Sequence, residues 1–467
     1  MFLNVHIEQT RIGMKNKLGR ILGFIILIGF ISCNNNSIQD YQLVIVDASL
    51  FDSHTGQVDL NQTVFIQDGL IAKISKTRLT DITLNNALDA QGRLLSPAFI
   101  DVHNHLNFIF GDTLETTKQK DFLTFRKIIS EQYIPYGVTV VRSAGGKESN
   151  IPMELSWMEN HPEYIDYYPT GGALVSLDTK FYNHIYVSDS SKVISKIKEY
   201  YNSGIRHIKV YSLIGERELN SAIQTARKLD MNIFGHIENS MISIEKASEL
   251  GLKNFEHAKT LFLEVVRTYE KNSRDLSDLP PDDNENWRYR EYETFNFIGT
   301  DDPLVSELIE VLKQKKVSVT PTLHLYAHPI GLINSNMDIP IHEEKKLGWT
   351  GEKLKRAKMG YNELSTLVYE LYKHGILLNT GSDTFEPGKA ILSEMLLLND
   401  LGIPMNEVLR IATINSARAI NMEASYGSIE VGKKAHLILF DEDPMLNPVN
   451  LLSKKTIIKD GIVWAQH

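Results

Sequence analysis

A single cysteine, Cys33, stands among the 467 residues, so no internal disulfide can brace the fold. A basic excess is also missing. Lys and Arg total 49 against 58 Asp and Glu, for a net charge of -9, and that balance gives no electrostatic footprint for a nucleic-acid partner. The chain has no heptads, low-complexity tracts or repeats of roughly 20–50 residues, which excludes coiled coils and solenoids. No apolar run reaches the ~20 residues that a spanning helix needs. What remains, at 42% hydrophobic and 23% charged, is an ordinary globular composition. The length suits one large α/β barrel with an appended domain, or two to three smaller domains.

The longest apolar stretch runs from Ile21 to Ile31 and follows Lys15, Lys17 and Arg20. A charged segment before a short apolar one is the pattern of an export signal. The "FISC" that ends it, followed by "NNNS", resembles a bacterial lipoprotein cleavage box, with Phe30 where that pattern prefers Leu. Residues 1–33 are therefore expected to be a signal segment starting at Met14, with lipid attached to Cys33. The protein is then expected to be exported and lipid-anchored to a membrane at the bacterial cell envelope. The alternatives are an uncleaved signal-anchor or a stray buried thiol. A chain with no other cysteine tolerates an oxidising compartment.

Beyond this segment "YQLVIVDASLFD" and "QTVFIQDGLIAKISK" read as short strands, as do "GKKAHLILFDEDP" and "KTIIKDGIVWAQ" far downstream. Between them, strand-like pieces alternate with amphipathic helical ones such as "DSSKVISKIKEYYNSG" and "ERELNSAIQTARKLD". Eight strand signals recur: "SPAFIDVHNHL", "GVTVVRSAGG", "YPTGGALVS", "IRHIKVYS", "MNIFGHI", "LKNFEHAK", "VSVTPTLHL" and "ILLNTGSDT". Repeated βα units imply a parallel sheet, and eight of them a closed (β/α)8 barrel. The expected layout is an α/β protein. Its TIM-like barrel covers 95–424, and a small β-sandwich domain is built from 41–94 and 425–467. After the sixth strand the helix signal fails, and 261–300 reads as an acidic, proline-broken insertion. That segment is either an active-site lid or a contact in a homo-oligomer.

The chemistry sits at strand ends. In "FIDVHNHL" the residues two apart share a face, so His103 and His105 point together, with Asp101 on the same side. Buried imidazoles invite a divalent metal, although an isolated HxH is more often a surface accident. Lys209, His236, His257 and Asp383 mark the ends of the fourth, fifth, sixth and eighth strands, where barrel active sites form. Chance placement at five strand ends is improbable. Tyr211 lies two residues beyond Lys209 on the same face. His184 and His324 follow the third and seventh strands. These three are read as candidate substrate contacts, each with packing or surface exposure as the alternative.

The set of motifs resembles the amidohydrolase superfamily, in its imidazolonepropionase-like and prolidase-like branch. The resemblance runs from "DGLIAKI" through "PAFIDVHNH", "GVTVVRSAGG", "IKVY", "GH", "EH" and "GSD" to "GSIEVGKKAHLILFD". It implies that His103, His105 and Asp383 bind one divalent ion, and that His236 and His257 bind a second. Zinc is the expected metal. Lys209, carboxylated by CO₂, would bridge the pair, and a bridging hydroxide would attack the substrate with Asp383 as proton carrier. A buried lysine can lose its charge, with pKa values as low as about 5–6, and only the neutral amine reacts with CO₂. The alternative is an ammonium paired to an acid.

The implied reaction is hydrolysis of a C–N bond in a small peptide, an N-acyl amino acid or a cyclic amide. A mononuclear deaminase of the same superfamily is the alternative enzyme, and a catalytically inactive binding lipoprotein the alternative outside enzymes. Two departures stand out: the branch usually has Gly where Ala98 stands, and often an acid where Ser143 stands.

Overall fold

The computed structural model describes residues 41–76, 86–111, 121–281, 283, 287–332 and 347–464. The export segment with Met14 and Cys33 lies outside the described residues. Among the described residues no helix is long and apolar enough to cross a membrane.

Strands from both ends of the described residues share one eight-stranded sheet. Leu43–Asp52, Gln57–Gln67 and Leu70–Ser75 form an antiparallel meander. Leu94–Pro97 then pairs with Leu437–Phe440 of the C-terminal segment, Ile438 opposite Ser96. Strand alternation makes that last strand a seam between two cores. Leu437 and Leu439 pack with Ile45, Val64 and Leu95 inside the β domain. Ile438 and Phe440 face the other way, into the core shared with the barrel.

The barrel strands, numbered here β1 to β8, are Phe99–Asn104, Val138–Ser143, a split third strand (Asp166–Tyr168 and Ala173–Val175), His207–Tyr211, Asn232–His236, Asn254–Glu256, Ser318–Thr320 and Leu377–Leu378. Neighbours are parallel throughout. The ring closes where the Val102 N–H donates to the Thr380 carbonyl at 2.9 Å. Strand β3 breaks at Gly171, whose φ of +77° is a left-handed conformation that glycine adopts freely. A Cβ there would strike the Tyr200 ring.

One expectation needs correction. Residues 261–300 are not a loop but mostly two helices, Lys259–Lys271 and Trp287–Ile298. The first buries Leu261, Phe262, Val265 and Val266, and the second Tyr292, Phe295 and Ile298. Apolar burial outweighs the acidic, proline-containing sequence between them. Helix Gly351–Lys373 packs on the second. It approaches closely because position 360 is Gly, where a Cβ would collide with the Tyr292 carbonyl.

Candidate metal centre and active site

His103, His105, Lys209, Tyr211, His236, His257 and Asp383 all line one cavity of about 330 Å³ at the C-terminal ends of the strands. His184 lines it as well, its ring 4.8 Å from that of Tyr211. His324 is not among the lining residues. It is buried with Nδ1 2.8 Å from Ser393 Oγ, its ring stacked on His328.

Hydrogen bonds fix the histidine tautomers. His103 Nδ1 lies 2.5 Å from the Glu256 carboxylate, and His105 Nδ1 lies 2.6 Å from the Gly145 carbonyl. Both partners only accept, so both Nδ1 atoms carry the proton. His257 Nδ1 lies 2.8 Å from Thr322 Oγ1, whose own proton goes to the Pro321 carbonyl. Nδ1 of His257 is therefore the donor too. Three Nε2 lone pairs are left, and they converge on Asp383: 3.6 Å for His103, 3.7 Å for His105 and 3.7 Å for His257. His103 Nε2 is buried with no hydrogen-bond partner. Lone pairs crowded against a carboxylate repel unless a cation or a proton sits between them. The donor set fits a divalent metal ion, with each imidazole oriented from behind as metal-bound histidines are.

His236 and Lys209 are placed differently. His236 Nε2 is 3.2 Å from the Glu238 carboxylate, and its ring is 4.9 Å from that of His257. Lys209 is 2% exposed, its Nζ 4.9 Å from the Phe234 ring centre. Burial, with help from Arg142, pulls its ammonium down to about 8 against the pull of Glu256 and Asp383. Burial pushes Asp383 up to about 7, with the Glu256 charge adding to it and Lys209 opposing. Burial and the Lys209 charge lower His105 to about 4. His103 and His257 are likewise held neutral by burial.

Backbone geometry marks the same residues. His257 has φ +64° and Asp383 +45°, left-handed conformations that cost a non-glycine residue on the order of 1–3 kcal/mol. Both are pinned, the His257 N–H to the Thr320 carbonyl and the Asp383 N–H to the His103 carbonyl, each at 2.8 Å. Asp101 works at this seam. It accepts the backbone N–H groups of His103 (2.9 Å) and Ser382 (3.1 Å), which ties β1 to the turn carrying Asp383.

Sequence reasoning missed Glu256 and Arg142. Glu256 accepts from His103 on one oxygen and from Arg142 on the other at 2.6 Å. Burial alone would raise its pKa. The charges of His103, Arg142 and Lys209 outweigh burial and hold it well below the carboxylate range. A second buried group of potential ligands, Asp166, His436 and Asp460, is already neutralised. Lys459 lies 2.8 Å from Asp166 and 2.9 Å from Asp460, and Lys434 lies 2.7 Å from Asp166.

Comparison with known proteins places this geometry in company. The model of the amidohydrolase family matches residues 291–464. A 5'-deoxyadenosine deaminase of Methanobrevibacter smithii is 21% identical over 430 residues, covering 87% of this chain and 85% of that protein. Among solved structures, a Xaa-Pro dipeptidase superposes with a TM-score of 0.65 at 16% identity, covering 91% of this chain and all of that one. An ochratoxinase of A. niger gives 0.63 at 15% identity, with 90% and 95% covered. At such identities the structural likeness speaks for the fold.

Proposed function

We propose that the chain is an amidohydrolase, the family whose model matches residues 291–464, and that it hydrolyses an amide C–N bond in a small peptide or N-acyl amino acid. The observation that supports this is the convergence of three imidazole lone pairs on Asp383, with Lys209 and His236 lining the same cavity. His103, His105 and Asp383 would hold one divalent ion and His236 and His257 a second. When bound, such a pair supplies an activated water at neutral pH and polarises the scissile carbonyl.

The chain's own residues do the rest. Asp383, whose carboxylate faces the Nε2 atoms of His103, His105 and His257, would take a proton from the attacking water and return it to the departing nitrogen. Lys209, lowered to about 8, presents a neutral amine in a useful fraction of molecules. That amine could add to CO₂ and lose a proton, giving a carbamate that would serve as a further ligand. His236, whose Nε2 faces Glu238, would hold the second ion.

The same pKa values set a pH dependence. At neutral pH the imidazoles of the cavity are already unprotonated, whereas Asp383 and Lys209 still hold protons that metal binding must displace. Metal uptake should therefore strengthen from about pH 6 to about pH 8 and release protons into solution. Calorimetric zinc titrations in two buffers of different ionisation enthalpy measure this. A flat profile, or a midpoint near the pKa of His105, would contradict the assignment.

A deaminase is the second reading, favoured by the relative from Methanobrevibacter smithii. In that case the activated water attacks an amidine carbon and ammonia departs. Lys209 in the cavity speaks for the amide reaction, as the group that would join a second ion to the first. Metal-loaded protein should cleave dipeptides or N-acyl amino acids and release no ammonia from 5'-deoxyadenosine. The reverse result would replace the hydrolase with the deaminase.

A further inference from the structure

Arg288 and Arg290 both offer forked donors, but the structure separates them. Arg290 turns away: it donates to the Pro280 carbonyl, stands 3.8 Å from Glu270, and lines a smaller neighbouring cavity. Arg288 lines the cavity that holds the histidines and Asp383. Its Nη1 lies 3.2 Å from Glu291 Oε2, while Lys259 Nζ lies 2.5 Å from Glu291 Oε1. One carboxylate thus serves two cations. The guanidinium is steadied by Trp287 (4.3 Å) and Tyr326 (5.1 Å), ring contacts that favour a cation. Among the described residues Glu291 is its one hydrogen-bonded acid, and a guanidinium fork suits a second, planar acid.

The walls beside it are aromatic and open. Phe181, Tyr182 and Trp287 all line the cavity, yet are 54%, 41% and 47% exposed. From Phe181 a file of rings descends through His184 (5.0 Å), Tyr211 (4.8 Å) and His236 (4.5 Å) to His257 (4.9 Å). Flat apolar groups stack on such a surface. The volume of about 330 Å³ is at the small end for ligand pockets.

We propose that this cavity selects amides that carry a free carboxylate, held by Arg288, next to an aromatic or large apolar side chain seated against Trp287, Phe181 and Tyr182. The inference rests on the amide-hydrolase reading for its reaction but not for its recognition, so the test reads binding. N-acetyl-L-phenylalanine, its primary amide and N-acetylglycine are titrated calorimetrically into the metal-free full chain. The acid should bind about 10- to 100-fold tighter than its amide, the range for a hydrogen bond to a charged group, and tighter than the glycine compound. Arg288→Met should erase the preference for acid over amide, and Arg290→Met should leave it intact.

Equal binding of acid and amide, binding of none of the three, or a preference that survives in Arg288→Met overturns the proposal. If the preference holds and the metal-loaded chain still cleaves no amide, the recognition stands and the hydrolase reading falls.

Discussion

Lys209→Ala should lose nearly all turnover and bind about one divalent ion per chain where the native protein binds about two. The expectation follows from position and chemistry together. Lys209 stands on β4, 2% exposed, in a wall of the cavity that also holds Asp383 and the histidines. Burial lowers its ammonium to about 8, so a fraction of the molecules carry the neutral amine that CO₂ requires. The fold should survive the change, because Glu256 keeps its short contacts to Arg142 and His103. Lys209→Met, which keeps the volume and removes the nitrogen, should be equally inactive. Formate or acetate added to the alanine variant should restore part of the activity by occupying the place of the carbamate. Metal analysis giving the same stoichiometry in the native and variant proteins would remove Lys209 from the metal centre.

The residues at strand ends were legible because their spacing reports direction: a period of two puts His103 and His105 on one face. Recurring βα units then bring distant strand ends into one cavity. The helices at 259–271 and 287–298 were obscured by the acidic sequence between them, although Leu261, Phe262, Val265 and Val266 already recur at helical spacing. His324 could be placed after the seventh strand but not oriented. The short helix His324–Ala327 buries it against Ser393, away from the cavity lining. Glu256 and Arg142 were hidden for another reason. A charge inside an apolar strand is interpretable only through its partner, and here that partner is 114 residues away in sequence.

That hidden pair carries the second large effect. Arg142 is 1% exposed, with its Nε and Nη1 atoms lacking partners. Its compensation comes from Glu256 and the Val102 carbonyl. Glu256→Ala strands a buried guanidinium and should cost about 3–5 kcal/mol of stability, the penalty for breaking a buried ion pair. Glu256→Gln is the more telling variant. Its amide oxygen can still accept from His103 or from Arg142, but not with the charge that holds both. His103 then loses the anion that fixes its proton on Nδ1 and its lone pair on Nε2. Metal affinity should fall by about 10- to 100-fold, the range for loss of a group behind a metal-binding histidine. Combining Glu256→Gln with Arg142→Met removes the stranded cation, so thermal stability should recover while metal affinity stays low. If the double variant recovers both, the pair serves the barrel core alone. If Glu256→Gln binds metal as tightly as the native chain, Glu256 does not orient His103.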